Sequence, residues 1–253
     1  MRFGVCIGGD ASKIKLAKEY GFDYVESCFS LLAVDSDEKF NEFVSELKAN
    51  DIKAESVNCF MPGSIKTTGE NVDLQAAWEY VERGLIRGKE IGLKTVVFGS
   101  GGSREIVGDF PYYEAVKQLG VFLKKVIAPL AAKYDVTVVV EPLADCNIIS
   151  RVKEGVMLAA MADSDRVKGL GDLFHMAKVG DTAEDVKDVK GSLYHAHIAE
   201  PSKRRYPLNA GEWDYKSFID ALEYAGCQRC SIEAGTDDFE NDAKTAIALL
   251  KSL

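Results

Sequence analysis

The sequence lacks the features that would place it in several special classes of protein. Its 253 residues contain no apolar run long enough to cross a bilayer and no lipidation motif. Basic residues are in the minority, since 31 Lys and Arg stand against 40 Asp and Glu and the formal net charge is -9. A nucleic acid is therefore a poor partner. With no basic and apolar leader at the N-terminus, we expect a cytoplasmic protein that does not bind membranes.

Cysteine pairs and histidines are also scarce. The six cysteines are spread along the chain, and the only C-x-x-C spacing, Cys227 and Cys230, has no second pair and precedes a strand-like run. This pattern predicts buried thiols rather than a redox or zinc motif. The three histidines all lie between positions 175 and 197, each near a carboxylate. Such clustering favours a divalent-metal site over histidines used for packing.

Short apolar, β-branched runs alternate with longer segments of helical periodicity, as expected for βα units around a parallel sheet. The predicted strands are 3–6, 24–26, 54–58, 95–98, 137–141, 169–172, 194–198 and 230–233. The clearest predicted helices are 37–49, 74–91, 113–133 and 215–225, and several end at a glycine suited to a helix C-cap. Eight units of about 32 residues predict one (β/α)8 TIM-barrel domain over residues 1–253. The alternative is a doubly wound open sheet, but its glycine fingerprint is missing after the first strand.

Polar residues close most of the predicted strands. Catalytic groups of such barrels lie at the carboxyl ends of the strands, so these side chains are candidates for a common site: Glu26, Asn58, Glu141, Asp172, His197 and Glu233. An ionised carboxylate at the end of a buried strand costs several kcal/mol unless a cation or donors compensate it. Three carboxylates and one imidazole on consecutive strands predict one bound divalent ion, Mn²⁺, with Mg²⁺, Co²⁺ or Zn²⁺ as alternatives.

The three histidines are expected to differ in role. His195 and His197 are two residues apart, so their side chains project from the same strand face at different depths. We expect His197 to be the ligand and His195 to lie in the core below it. His175, three residues past Asp172, is expected in a loop above the ion.

Four segments resemble the xylose isomerase-like TIM-barrel superfamily, and within it the sugar isomerase/epimerase group that includes ketose 3-epimerases. They are Glu141-Pro142, Asp172-Leu-Phe-His175, His195-Ala-His197-Ile-Ala-Glu200 and Ser231-Ile-Glu233. The resemblance implies that Glu141, Asp172, His197 and Glu233 bind one divalent ion. It also implies that His175 and an arginine contact the substrate. Where those epimerases carry the arginine this chain has Lys203, so Arg204 is offset by one residue.

The implied activity is that of a metal-dependent sugar isomerase or epimerase, and the expected partner is a sugar or sugar phosphate. The substrate would be a ketose or related polyol ketone, from which Glu141 and Glu233 exchange the proton next to the carbonyl through an enediolate. Further substrate contacts are expected from Asn58, Glu200 and Trp213. Residues 99–104, rich in glycine, are expected to cradle a phosphate or to form a flexible loop. A lyase or dehydratase acting on an inosose-like ketone and a non-catalytic sugar-binding barrel remain alternatives, and a homo-oligomer is compatible with the sequence.

Overall fold

Eight parallel strands pair in chain order, and the first also pairs with the last, so that the sheet closes on itself. This computed structural model describes residues 1–253. The strands are β1 (Arg2–Gly8), β2 (Tyr24–Cys28), β3 (Ser56–Asn58), β4 (Thr95–Phe98), β5 (Thr137–Val140), β6 (Val167–Asp172), β7 (Leu193–Ile198) and β8 (Arg229–Ile232). The predicted (β/α)8 barrel is confirmed, and the open-sheet alternative is wrong.

Twelve α-helices lie between and after the strands. They are α1 (Lys13–Tyr20), α2 (Phe29–Ala33), α3 (Asp37–Ala49), α4 (Leu74–Ile91), α5 (Gly101–Arg104), α6 (Tyr112–Phe122), α7 (Ala128–Tyr134), α8 (Val152–Ala160), α9 (Leu173–Val179), α10 (Ala183–Asp188), α11 (Tyr215–Ala225) and α12 (Phe239–Ser252). The predicted helix at 113–133 is interrupted, since a π-helical segment at Leu123–Ile127 joins α6 to α7. None of these helices combines the length and apolarity that crossing a membrane requires.

Local sequence signals explain where the long helices begin and end. Asp73 caps α4 by accepting hydrogen bonds from the backbone N–H groups of its first turn. Gly21, Gly92 and Gly226 end α1, α4 and α11 with φ values of 89°, 76° and 84°, a left-handed conformation that costs a glycine little. Each of these glycines leads the chain toward the next strand.

The apolar core has two parts because strand side chains alternate between the two faces of the sheet. The larger part lies between the outer face of the barrel and the helices, and contains 68 buried residues. The smaller part consists of Val97, Val139 and Leu170, which are fully buried and separate from the first cluster. Strand alternation places these three inside the barrel, at the level just below the ends of β4, β5 and β6.

Candidate metal centre and sugar site

Four side chains from consecutive strands meet at the carboxyl end of the barrel. One potential ligand atom from each of Glu141, Asp172, His197 and Glu233 lies within 4.8 Å of the others. His197 Nδ1 is central to the group, at 3.2 Å from Glu141 Oε1, 3.3 Å from Glu233 Oε2 and 3.9 Å from Asp172 Oδ2. The structure thus brings together all four of the residues for which metal ligation is expected.

This four-residue cluster is short of positive charge. Burial, together with the charges of Glu141 and Glu233, raises the pKa of Asp172 to about 8. Burial alone would lower the pKa of His197, yet the charges of Glu26 and Glu233 hold it well above its usual range. Protons are therefore retained at neutral pH on two groups whose ordinary pKa values would release them. Three carboxylate oxygens and one imidazole nitrogen are a donor set that suits Mn²⁺ or a similar divalent cation.

Space for the Glu141 carboxylate depends on a glycine across the β4–β5 pair. A Cβ atom at Gly99 would lie 2.1 Å from Glu141 Oε2, so only glycine leaves the carboxylate where it is. The backbone of Glu141 is held by the fully buried guanidinium of Arg104, whose Nη2 donates to the Glu141 carbonyl at 2.6 Å. Arg104 also donates to the carbonyls of Phe98 and Ile149. Residues 101–104 form the short helix α5 and not an irregular loop, and the buried Arg104 is not available to a phosphate.

Glu233 is held by two donors in addition to His197. Asn58 Nδ2 donates to its Oε1 at 2.8 Å, and Arg204 Nη2 donates to its Oε2 at 2.5 Å. Burial would raise the pKa of Glu233, but the charge of His197, its hydrogen bond and the Arg204 guanidinium lower it to about 2. Glu233 is therefore ionised throughout the physiological pH range. Asn58 orients this carboxylate through its amide nitrogen, and its contact with substrate stays a prediction.

His175 and Arg204 face a cavity of about 280 Å³ beside the cluster. His175 Nδ1 accepts a hydrogen bond from the backbone N–H of Ala144 at 3.2 Å, so the ring proton of the neutral imidazole lies on Nε2. Burial lowers the pKa of His175, which favours that neutral form. Nε2 is buried and has no partner among the protein atoms. It is thus a free donor beside Asp172, whose Oδ2 lies 4.0 Å away.

The position of His175 corrects one expectation. It does not lie in a loop but in the first turn of α9. Asp172 causes this, because its Oδ1 caps the helix by accepting from the N–H groups of Phe174 and His175 at 2.7 and 3.2 Å. The other carboxylate oxygen of Asp172 faces His197. One aspartate therefore positions the histidine and also contributes to the four-residue cluster.

Comparison with known proteins identifies the fold family. Residues 14–253 match the family model described as the xylose isomerase-like TIM barrel. The chain belongs to this family. No curated protein matches it in sequence. Among solved structures, it is similar to a 3-keto-D-glucoside 4-epimerase from E. coli, with a TM-score of 0.83, 20% identity and 100% of both chains covered.

Two further structures resemble this xylose isomerase-like barrel. One is a D-psicose 3-epimerase with D-tagatose from Clostridium cellulolyticum H10, with a TM-score of 0.83, 18% identity, and 100% of this chain and 98% of that chain covered. The other is the IOLI protein with a binding zinc atom, with a TM-score of 0.68, 18% identity, and coverages of 100% and 96%. At these identities the likeness establishes the shared fold.

The turn after β7 decides which basic residue faces the cluster. Glu200 accepts from the backbone N–H groups of Ser202 and Lys203 at 2.8 and 3.1 Å, which bends the chain so that Lys203 is exposed and Arg204 turns inward. Arg204 has φ of 50°, and its guanidinium lies 4.8 Å from the centre of the Phe174 ring. Glu200, expected to contact substrate, therefore organises the turn and is not part of the four-residue cluster.

Trp213 is not placed where sequence reasoning expects it. Its side chain is 41% exposed and lines a surface groove with residues of α9 and α11, including Met176 and Phe218. It does not line the cavity that contains His175 and Arg204. The conformation of the preceding loop determines this position, and the local pattern Gly-Glu-Trp-Asp does not encode it.

Glu26 is the residue of this region whose role sequence reasoning missed. It was recognisable as a polar residue at the end of a strand-like run, but β2 continues to Cys28 and Glu26 lies in its middle. The side chain is fully buried and contacts both His195 and His197. Burial would raise the pKa of Glu26, yet these two imidazoles hold it well below its usual range. A second buried carboxylate–imidazole group thus lies directly beneath the four-residue cluster.

Proposed function

We propose that this xylose isomerase-like barrel is a divalent-metal-dependent sugar epimerase or isomerase. Its reaction would exchange the proton next to the carbonyl of a ketose or related polyol ketone. One observation carries the proposal: two of the four potential ligands are glutamates from β5 and β8, beside a cavity with free donors. The structural likeness to two sugar epimerases supports the same class of reaction.

Glu141, Asp172, His197 and Glu233 are the residues that would hold the ion. A divalent cation bound there supplies positive charge that acidifies the proton next to the carbonyl and stabilises an enediolate. The chain compensates part of the negative charge of the cluster itself, because Arg204 lies against Glu233. That contact leaves Glu233 oriented and ionised.

Glu141 and Glu233 are suited to act as a base and acid pair. β6 and β7 separate their strands in the closed sheet, so the two carboxylates approach the mouth from different sides. A substrate carbon between them could lose a proton to one carboxylate and receive a proton from the other, which inverts its configuration. If a single glutamate removes the proton and returns it to the neighbouring carbon, the same site performs aldose–ketose isomerisation.

The cavity beside the cluster is the proposed sugar site. Its volume is about 280 Å³, and its donors, His175 Nε2–H and the Arg204 guanidinium, match the hydroxyl and carbonyl oxygens of a small sugar. A larger cavity of about 570 Å³ is lined by loop residues 66–71 and 105–111. Neither His175 nor Arg204 lines it, whereas both line the smaller cavity and lie against Asp172 and Glu233 of the cluster, so we assign the reacting part of the substrate to the smaller cavity.

The test is a screen of C4 to C6 ketoses, their phosphates and inososes with the Mn²⁺-loaded protein in D₂O. Solvent deuterium at C3 of a ketose with inversion supports epimerisation, and deuterium at C1 or C2 supports isomerisation. Glu141→Gln and Glu233→Gln should each lower turnover by at least about 10²-fold, since acid–base catalysis contributes 10² to 10⁴-fold. Glu42→Gln, an exposed carboxylate on α3, is the matched control and should leave turnover unchanged.

Other outcomes of the screen contradict the proposal in distinct ways. Loss of water from an inosose would identify a lyase or dehydratase. Saturable sugar binding without turnover of any compound would identify a non-catalytic sugar-binding barrel. Turnover without deuterium uptake would indicate a hydride shift in place of proton exchange.

A further inference from the structure

The carboxylate of Glu26 lies inside the barrel between the two histidines of β7. Its Oε1 is 2.9 Å from His197 Nε2, and its Oε2 is 2.9 Å from His195 Nε2. All three side chains are buried, with at most 1% of any of them exposed. Because β2 and β7 are not neighbours in the sheet, these contacts can only cross the barrel interior.

The surroundings of Glu26 supply no Lys or Arg as a hydrogen-bond partner. Its nitrogen donors are the two imidazoles, and the Cys6 thiol is a further neighbour. A buried ionised carboxylate needs donors to offset its desolvation, which is several kcal/mol. A thiol is a weak donor, so the two Nε2–H groups are the strong donors available and each histidine carries a proton on Nε2.

The surroundings of the two Nδ1 atoms differ. His195 Nδ1 is buried without a partner, and a proton placed there would be an orphaned donor. His197 Nδ1 faces the carboxylates of the four-residue cluster. In the metal-free chain Nδ1–H donates to these carboxylates; when a cation takes the place of that proton, His197 keeps its Nε2–H hydrogen bond to Glu26 and presents a lone pair at Nδ1.

We propose that Glu26 is the positioning residue of His197: it accepts the Nε2–H proton, fixes the tautomer and aims Nδ1 into the cluster. His195 is the second donor, which keeps the Glu26 carboxylate in place. The role of His197 as a ligand rests on the proposed function. Glu26 touches neither the cavity nor the reacting atoms, so its effect is on metal affinity.

The same three residues could in principle hold an ion of their own, since one potential ligand atom of each lies within 4.8 Å of the others. A cation there would compete for His197 Nε2 and remove the proton from it. The stoichiometry of metal binding separates the two cases: the proposal requires one ion per chain, and two ions per chain would overturn it.

The experiment compares Mn²⁺ dissociation constants of the full chain after chelation, by calorimetric titration. Glu26→Gln keeps the size of the side chain but cannot accept from both imidazoles, and should raise the dissociation constant about 10 to 100-fold. Ser56→Ala is the matched control, because Ser56 Oγ lies 3.5 Å from His195 Nε2 at the same level and does not contact His197. It should leave the constant unchanged. An unchanged constant in Glu26→Gln, or an equal rise in Ser56→Ala, overturns the proposal.

A second measurement, on the wild-type chain, tests the role of Glu26 even if Glu26→Gln does not fold. With three histidines, ¹⁵N spectra of the Zn²⁺-loaded protein can be assigned by His175→Gln and His195→Gln. His197 should be protonated at Nε2 and metal-bound at Nδ1, and the reverse arrangement overturns the proposal. Failure of the wild-type chain to bind any divalent ion contradicts the proposed function itself, whereas binding with the wrong tautomer contradicts only the role of Glu26.

Discussion

The barrel interior has two halves at the same depth, and they are built from opposite chemistry. On β4, β5 and β6 the inward residues are Val97, Val139 and Leu170, which form an apolar cluster with one another and with Tyr194. Around the rest of the interior the same level holds buried polar groups, namely Glu26, Ser56, His195 and Ser231. The boundary is sharp, since Leu170 and His195 are register partners on adjacent strands.

This difference indicates which half of the interior supports the four-residue cluster at the carboxyl end of the barrel. The side chains of the apolar half pack on one another, and the burial of their apolar surface stabilises the fold. The polar half contains an ionised carboxylate that packing alone would not favour, and a well-packed apolar replacement of such a group is often neutral or stabilising. Its hydrogen bonds lead upward to His197, at the next level of β7. We infer that the polar half is retained for the cluster above it.

The largest expected effect comes from removing the residue that joins the polar half to the cluster. His197→Ala should abolish binding of Mn²⁺, because one ligand is lost and the three facing carboxylates are left to repel one another. Val139→Ala, on the apolar half, should leave the dissociation constant unchanged and lower the free energy of unfolding by about 2 kcal/mol. Calorimetric titration and urea unfolding measure the two effects.

The division into a ligating half and a stabilising half is contradicted if these two variants show each other's effects. Full metal binding by His197→Ala, or metal loss in a folded Val139→Ala protein, would mean that the two halves do not divide stability from ligation.

A smaller loss of metal affinity is expected when the space beside Glu141 is filled. Gly99→Ala places a Cβ atom where Glu141 Oε2 now lies, and only the mobile end of that side chain can give way. We expect the Mn²⁺ dissociation constant to rise at least about tenfold, as for other changes that misplace a ligand. The unfolding free energy should change by less than about 1 kcal/mol.

Gly171→Ala is the matched control for that substitution. Gly171 lies in β6 beside Asp172, but its added Cβ would meet no atom closer than 3.8 Å, an ordinary contact. It should bind Mn²⁺ as the wild type does. Equal affinity in Gly99→Ala and Gly171→Ala would show that the position of the Glu141 carboxylate does not matter for the ion.

Strand periodicity was sufficient to predict the barrel and the level of the four-residue cluster, because both depend on local alternation. The run Val138-Val-Val-Glu141 is apolar up to a single carboxylate, and the runs before Asp172 and Glu233 also carry no charge within three residues of it. The contact of Glu26 with the two histidines could not be predicted, because they lie across the barrel from it. Which residues meet there depends on the stagger of the closed sheet, which is a property of all eight strands.

Other features of the site also depend on distant parts of the chain. The buried Arg104 is held by carbonyls from two separate segments, and an arginine after two glycines would ordinarily be exposed. Arg204 and Trp213 were placed by the conformation of one loop. Neither result follows from residue spacing, since a loop conformation depends on the contacts that its side chains make with the rest of the fold.

A pH dependence is also expected, and it is confined to the polar half. Burial and the neighbouring carboxylates raise the pKa of Asp172 to about 8, so the metal-free folded state keeps a proton that the unfolded state releases near pH 4. Between these values the folded state binds more protons, and its stability falls as pH rises. A cation must displace that proton, so Mn²⁺ affinity should rise by up to about tenfold per pH unit for each proton released between pH 6 and 8.

Calorimetry in two buffers of different ionisation enthalpy measures the protons released. Val139→Ala should keep the same release, since the apolar half does not titrate. If Asp172→Asn still binds Mn²⁺, fewer protons should be released on binding than in the wild type. A release of zero in the wild type at pH 7 would contradict the retained proton.

The central claim is that the polar half of the barrel ends in a site for one divalent ion. The most direct test is a titration of the chelator-treated wild-type chain with Mn²⁺, followed by elemental analysis and thermal melting. We expect about one ion per chain and a melting temperature that rises with Mn²⁺ concentration, because the ion binds the folded state. No bound ion and no shift in melting temperature at any Mn²⁺ concentration would contradict it.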